Sequence, residues 1–256
     1  MTNTTVDTAA LEAKVKDMYR QVATDPGGEY HFELGRPLAE QLGYPGELLD
    51  DIPDDAIESF AGVGYFFDLA MLEPGESVID LGSGSGMDVF YAANQVGADG
   101  RVVGVDFSPE QRAKAGRLAA ARGFGQVELR DGRIEELPAE DESCDCAISN
   151  GVINLSPDKE RVFSEVARVL RRGGRLAIAD IVSEQQLTHA IVCDADLWAS
   201  CIGGAAQHDA YVGAIEAAGL RVDEMRENPY RFVSGQARSA SEKYGVKSVS
   251  LRATKS

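Results

Sequence analysis

Apolar residues along the chain keep changing period, and each change marks a different element. Residues 8–23 (TAALEAKVKDMYRQVA) place Leu11, Val15, Met18 and Val22 at spacings of four, three and four. That spacing predicts one face of an amphipathic helix. The stretch TDPGGEY at 24–30 breaks it. From Glu40 to Glu58 seven acidic residues and no basic one are interrupted by Pro45, Gly46 and Pro53, which predicts short helical turns with a solvated face. A calcium loop is the sharper reading of that run, but the spacing does not match an EF-hand, and no metal site is expected.

From about residue 74 the pattern alternates between strand and helix. Short β-branched runs at 77–81, 101–105, 126–130, 145–149 and 175–182 predict five strands. Helical patterns cover 86–96, 109–122 and a span from Ser156–Pro157 to the paired Gly173–Gly174. Ser108 is placed to cap the second of these helices, with Pro109 at its first position. After an irregular insertion at about 184–206, a helix is expected at 207–218 and strands at 220–226 and 247–253, the last two as an antiparallel pair. The β-α-β rhythm predicts a doubly wound α/β fold with a mostly parallel sheet. Residues 1–73 form an N-terminal helical or lid segment and 74–256 the main domain.

Composition narrows the partners. The 256 residues carry 42 Asp plus Glu against 25 Lys plus Arg, a formal charge of −17. A field of that sign repels nucleic-acid backbones and anionic lipid, so neither is an expected partner. No apolar run of membrane-spanning length and no secretory signal pattern is visible. Four cysteines, at 144, 146, 193 and 201, are too sparse for a disulfide framework, so a cytoplasmic setting is expected.

The most informative segment runs Val78-Ile79-Asp80-Leu81-Gly82-Ser83-Gly84-Ser85-Gly86: a strand, three alternating glycines, then a helix. Glycines let the backbone turn sharply and approach a ligand, and the helix offers unpaired N–H groups. Asp106, at the end of the second strand, is placed to accept from a ribose diol. A dinucleotide loop would have its third glycine one position later, where Met87 stands. Asp80, two positions before the first glycine, suits a ligand with an ammonium group, so the loop reads as a pocket for S-adenosylmethionine. Ile134 and Glu135, after the third strand, are placed for the adenine ring and its amine. Asn150 and Gly151, at the end of the fourth strand, are placed beside the cofactor and facing the substrate.

These residues together resemble the seven-stranded class I S-adenosylmethionine-dependent methyltransferases. Residues 149–181 (SNGVINLSPDKERVFSEVARVLRRGGRLAIADI), 196–205 (DLWASCIGGA) and 15–23 (VKDMYRQVA) are similar to arsenite methyltransferases in particular. The resemblance implies that Tyr19 reaches the methionine end of the cofactor. It also implies that Asp80, Gly82, Ser83, Gly84, Gly86, Asp106, Phe107, Ile134, Glu135, Asn150 and Gly151 form its site. That family holds trivalent arsenic on soft thiolates. Here Gly151 stands at the cysteine of the S-N-C-V-I-N-L segment, Val63 stands at that of L-G-C-G, and residues 27–35 (GGEYHFELG) contain none. Cys201 is the cysteine of that set that remains, and with His31 it is the candidate on the substrate side. The implied activity is methyl transfer to a small molecule. A soft acceptor (arsenite, a thiol or a selenium species) fits best, and the missing cysteines argue against arsenite. Two alternatives stand beside this: a module that binds the donor without transferring methyl, and a nicotinamide-dependent oxidoreductase resting on fold alone. The sequence leaves monomer and homodimer open.

Overall fold

The computed structural model describes residues 8–28, 30, 32–192, 194, 197–198 and 202–256. Strands β1 (Ser77–Leu81), β2 (Arg101–Asp106), β3 (Val127–Asp131) and β4 (Cys144–Asn150) lie where the β-branched runs place them. With β5 (Leu170–Ser183), β6 (Ala206–Gln207), β7 (Leu220–Glu227) and β8 (Lys247–Lys255) they form one sheet in the order β3-β2-β1-β4-β5-β8-β7. Pairing from β3 through β5 is parallel, and β8 is antiparallel to both β5 and β7. The two-residue β6 beside β5 adds an eighth strand to the expected seven.

Strand side chains alternate between two apolar clusters. Val78, Ile148, Ala177, Ala179 and Ile181 belong to one; Ile79, Leu81, Ala147, Leu176 and Ile178 belong to the other. Period-two alternation of apolar residues on both sides is what a sheet covered on both faces requires. The first face receives Val15 of α1 (Thr8–Thr24), Leu38, Ala39 and Leu42 of α2 (Gly35–Leu42) and Phe90 and Ala93 of α3 (Met87–Val96). It also receives Ala119 of α4 (Pro109–Arg122). The second face receives Val162, Phe163 and Val166 of α5 (Lys159–Val169) and Tyr211 and Ile215 of α6 (His208–Ala217). Ser108 caps α4 as expected, its Oγ accepting from Gln111 N at 3.4 Å.

Two expectations need correction. The helix expected to run to Gly173–Gly174 ends at Val169, and β5 begins at Leu170. Pairing with β4 jumps from Cys144–Leu170 to Cys146–Arg175, so the glycines lie in an irregular, bulged stretch of strand. Gly173, at φ +75, supplies the backbone shape that lets the strand resume in register. A further helix, α7 (Gly235–Tyr244), fills the stretch left without an element between β7 and β8. No helix among the described residues is long and apolar enough to cross a membrane.

Candidate donor site at the glycine loop

A cavity of about 470 Å³ opens at the carboxyl ends of β1, β2 and β4, the place where open α/β sheets bind ligands. Tyr19, Asp80, Gly82, Ser83, Gly84, Asp106, Phe107, Ile134, Glu135 and Asn150, all expected site residues, line it. Gly86 and Gly151 do not. Gly86, at φ +94, turns the chain into α3, with its α-carbon side against Phe90 and Ala115. Gly151, at φ +71, faces Val63: a Cβ built there would lie 3.1 Å from Val63 Cγ1. The two positions where the family resemblance implies cysteines are therefore neighbours. His31, Cys193 and Cys201 lie outside the described residues.

The glycine loop is held from below by β2, with Gly82 N and Ser83 N both donating to Val105 O. Asp106 holds it from the side. Its buried carboxylate accepts from Gly84 N at 2.9 Å and from Ser108 N at 2.8 Å. Burial still pushes this acid upward, against those two amides. Asp80 is 3 % exposed, accepts no hydrogen bond from a described residue, and is pushed well up by burial and then by the charges of Asp88 and Asp106. Ser83 Oγ is likewise buried without a partner. Ser83 Oγ turns toward Gly104 of β2, away from solvent, so of the two it is the Asp80 carboxyl, in the cavity wall, that a polar ligand would satisfy.

Three features of this wall were not read from the sequence. Asp88, in the first turn of α3, is 6 % exposed, accepts Tyr44 Oη at 2.6 Å and Asn150 Nδ2 at 3.1 Å, and is pushed by burial to about 6. Its sequence position is that of an ordinary helix-start acid, and nothing local marks it as facing a ligand. Asn150 lines the cavity, but its amide is occupied: Oδ1 accepts Val63 N at 2.7 Å and Gly64 N at 3.3 Å, while Nδ2 also faces Gly64 O at 3.0 Å. It ties the 61–65 segment to the end of β4 and touches Asp88. Gln111 joins floor to roof. Its Oε1 accepts Ser85 Oγ at 2.5 Å, and its Nε2 donates to Tyr19 O of α1 at 2.9 Å.

That last pair gives a direct prediction. Gln111→Glu keeps an acceptor for Ser85 but sets a carboxylate against the Tyr19 carbonyl. Losing one buried hydrogen bond is worth about 1–2 kcal/mol, so donor affinity is expected to fall about tenfold. Amide exchange over residues 13–24 should quicken; unchanged exchange there would show that α1 does not depend on this contact.

Elsewhere the chemistry is structural. Glu135 accepts Ser156 Oγ at 2.6 Å, which spends one of its oxygens. His208 lies at the start of α6, against Asp209 and Met225 Sδ, away from the cavity. Trp198 is buried in the insertion, its ring 5.1 Å from Lys159 Nζ, and does not line the cavity. Cys144 and Cys146 are buried at the start of β4, the end opposite the cavity, and burial pushes the Cys146 thiol to about 12. No cluster of three or more metal-ligating side chains occurs among the described residues.

Asp180, at the far end of β5, is also pushed to about 6 by burial, although Tyr211 Oη donates to it at 2.6 Å. Asp88 and Asp180 thus prefer their protonated forms more in the folded chain than in the unfolded one. Their ionisation weighs against folding above pH 6, and the penalty is relieved as pH falls from 7 toward 5. Each is worth up to about 3 kcal/mol. The urea midpoint of ligand-free protein is expected to rise over that interval, and a flat or falling midpoint would contradict the burial of these acids.

Comparison with known proteins agrees with this geometry. A methyltransferase domain model matches residues 72–225. The chain is 40 % identical over 198 residues to an arsenite methyltransferase of Halobacterium salinarum, covering 77 % of this chain and 50 % of that protein. It is 38 % identical over 211 residues to the human arsenite methyltransferase, covering 77 % and 54 %. The chain spans about half the length of these curated relatives. Among solved structures, an arsenic(III) S-adenosylmethionine methyltransferase from Chlamydomonas reinhardtii superposes with a TM-score of 0.70 at 32 % identity, covering 82 % of this chain and 72 % of that one. A geranyl diphosphate methyltransferase, at 19 % identity and a TM-score of 0.65, shares the fold. Glycine loop, strand order and these likenesses together place the chain in the class I S-adenosylmethionine-dependent methyltransferases, in the arsenite methyltransferase-like branch.

Proposed function

We propose that the chain transfers a methyl group from S-adenosylmethionine to a small soft nucleophile, with residues 1–73 acting as a lid on a donor-binding domain at 74–256. The observation that carries this reading is the cavity floor: Gly82 and Gly84 flanked by Asp80, whose side chain accepts no hydrogen bond from a described residue, and by Asp106 one strand away. The donor, when bound, supplies a methyl group on a positively charged sulfur. Asp80 would take its ammonium group and Asp106 the ribose hydroxyls. Phe107 and Ile134 would face the adenine, with Glu135 near its amine. A diphosphate fits this floor poorly, because the basic side chain in the described wall, Arg133, is half exposed and ion-paired to Glu135 at 3.6 Å. That disfavours a nicotinamide cofactor.

The acceptor side supports a nucleophile that brings its own lone pair. Among the described residues, no histidine, lysine or cysteine lines the cavity. A thiolate or selenide needs no base at neutral pH, only alignment with the S–CH₃ bond at close range. Val63 packed over Gly151 puts no sulfur where the resemblance implies two thiolates, so a three-thiolate arsenite cage is not built there.

Calorimetry with S-adenosylmethionine should show micromolar binding, and labelled donor should pass its methyl to a thiol or to selenite in preference to arsenite. Binding of NADH in place of the donor would overturn the reading; donor binding without turnover on any of these acceptors would favour a non-catalytic module. The double variant Val63→Cys with Gly151→Cys is expected to bind arsenite at least about tenfold more tightly than the parent, as read by intrinsic fluorescence.

A further inference from the structure

The cavity holds more negative charge than one ammonium group calls for. Asp80 ends β1 ahead of the glycine loop, and Asp88 returns on the far side of the loop in the first turn of α3. Both are more than nine-tenths buried, and both line the cavity. Every described group that faces them is neutral or acidic. Tyr44, which follows α2, donates to Asp88 Oδ1, and Asn150 at the end of β4 donates to Oδ2. Asp106 of β2 presses its charge on Asp80. Tyr91, one turn along α3, is itself pushed up, in part by Asp88. The Asp80 side chain accepts no hydrogen bond from the described residues, so its carboxyl is left for whatever enters the cavity.

S-adenosylmethionine and its demethylated product share the ammonium, the carboxylate, the ribose and the adenine. They differ by one methyl group and one positive charge, on sulfur. Building on the methyl-donor reading above, we propose that the Asp80–Asp88 pair makes this cavity selective for the cationic nucleoside, holding the sulfonium donor more tightly than the neutral thioether left after transfer. With the ammonium common to both ligands on Asp80, the deeply buried Asp88 adds a carboxylate without a counter-cation that acts on the one charge by which they differ, while the shared groups cancel in the comparison. The selectivity clears spent nucleoside from the site and blunts product inhibition. Asp88 contributes as its carboxylate, the form lost as the pH drops through about 6. The preference therefore shrinks on acidification, and Asp80, Asp106 and the two tyrosines add no opposing charge.

The test is a pair of dissociation constants, for S-adenosylmethionine and S-adenosylhomocysteine, measured by calorimetry on the full chain. At pH 7.5 the parent is expected to favour the donor by about tenfold, and Asp88→Asn, close in size, to bring the ratio near one. The parent alone supplies a second arm that needs no variant: its ratio should fall severalfold between pH 7.5 and 5.5. A parent that binds both nucleosides equally, an Asp88→Asn protein with the parent ratio, or a ratio indifferent to pH would each overturn the proposal while leaving donor binding intact. Failure of the parent to bind either nucleoside would instead overturn the methyl-donor reading on which it rests.

Discussion

Gly82→Ala is expected to abolish donor binding and to cost roughly 2–5 kcal/mol of folding stability. Two penalties combine. Gly82 sits at φ +74, where an L-residue is strained by about 1–2 kcal/mol. A Cβ there would also lie 2.5 Å from Val152 Cγ1 and 2.6 Å from Cγ2, so the turn after β4 must move, at a typical overpacking cost of about 1–3 kcal/mol. Val152 lines the cavity, and its displacement deforms the wall as well as the floor. Gly84 provides the control. It is also left-handed, at φ +53, but a Cβ there meets only Gln111 Oε1, at 3.9 Å. Gly84→Ala should lose about 1 kcal/mol from strain alone, so urea unfolding of the two variants separates clash from strain. Equal losses would mean that Val152 yields freely and that the close packing at Gly82 is unimportant.

Asp106→Ala carries the second large effect: at least about a hundredfold loss of donor affinity, together with roughly 2–3 kcal/mol of stability. The carboxylate accepts from Gly84 N and Ser108 N, so its removal leaves two amides beside the cavity without acceptors. One of them belongs to the glycine loop, and the other to the N-cap residue of α4. The same carboxylate is the group assigned to the ribose, so loop shape and ligand contact are lost together. Asp106→Asn keeps one accepting oxygen and should fall between parent and alanine variant. Calorimetric affinity near that of the parent for the alanine variant would show that the sugar is held elsewhere.

What could be read from the sequence is what short segments decide by themselves. The runs SVIDL and RVVGVD form strands because β-branched residues alternate sides on a pleated surface, and the glycine loop declares itself by spacing. Ser108–Pro109 gives the start of α4 for the same local reason. Other features depend on residues far apart in the chain. Gly173 looks like a helix terminator, yet β4 captures the preceding residues as strand and leaves the glycine in a bulge. Helix α7 has only Ala237, Ala240 and Tyr244 as its buried side chains, too weak an apolar stripe to read, although Ser234 and Gly245 are its cap residues. Asp88 and Gln111 become wall residues only because Tyr44, Asn150 and Tyr19 arrive from 44, 62 and 92 positions away. Gly151 shows the opposite case: its neighbours Asn150 and Val152 line the cavity, but its own α-carbon faces Val63.

The contact between Val63 and Gly151 also constrains how this site can change. A side chain introduced at 151 first meets the branched methyl groups of its neighbour on top of an unfavourable backbone angle, whereas trimming residue 63 first opens room for it. The two replacements are thus expected to be non-additive, with one order of substitution passing through a much less stable intermediate than the other. Replacement of this pair has an easy direction and a hard one, and the easy one begins at the valine.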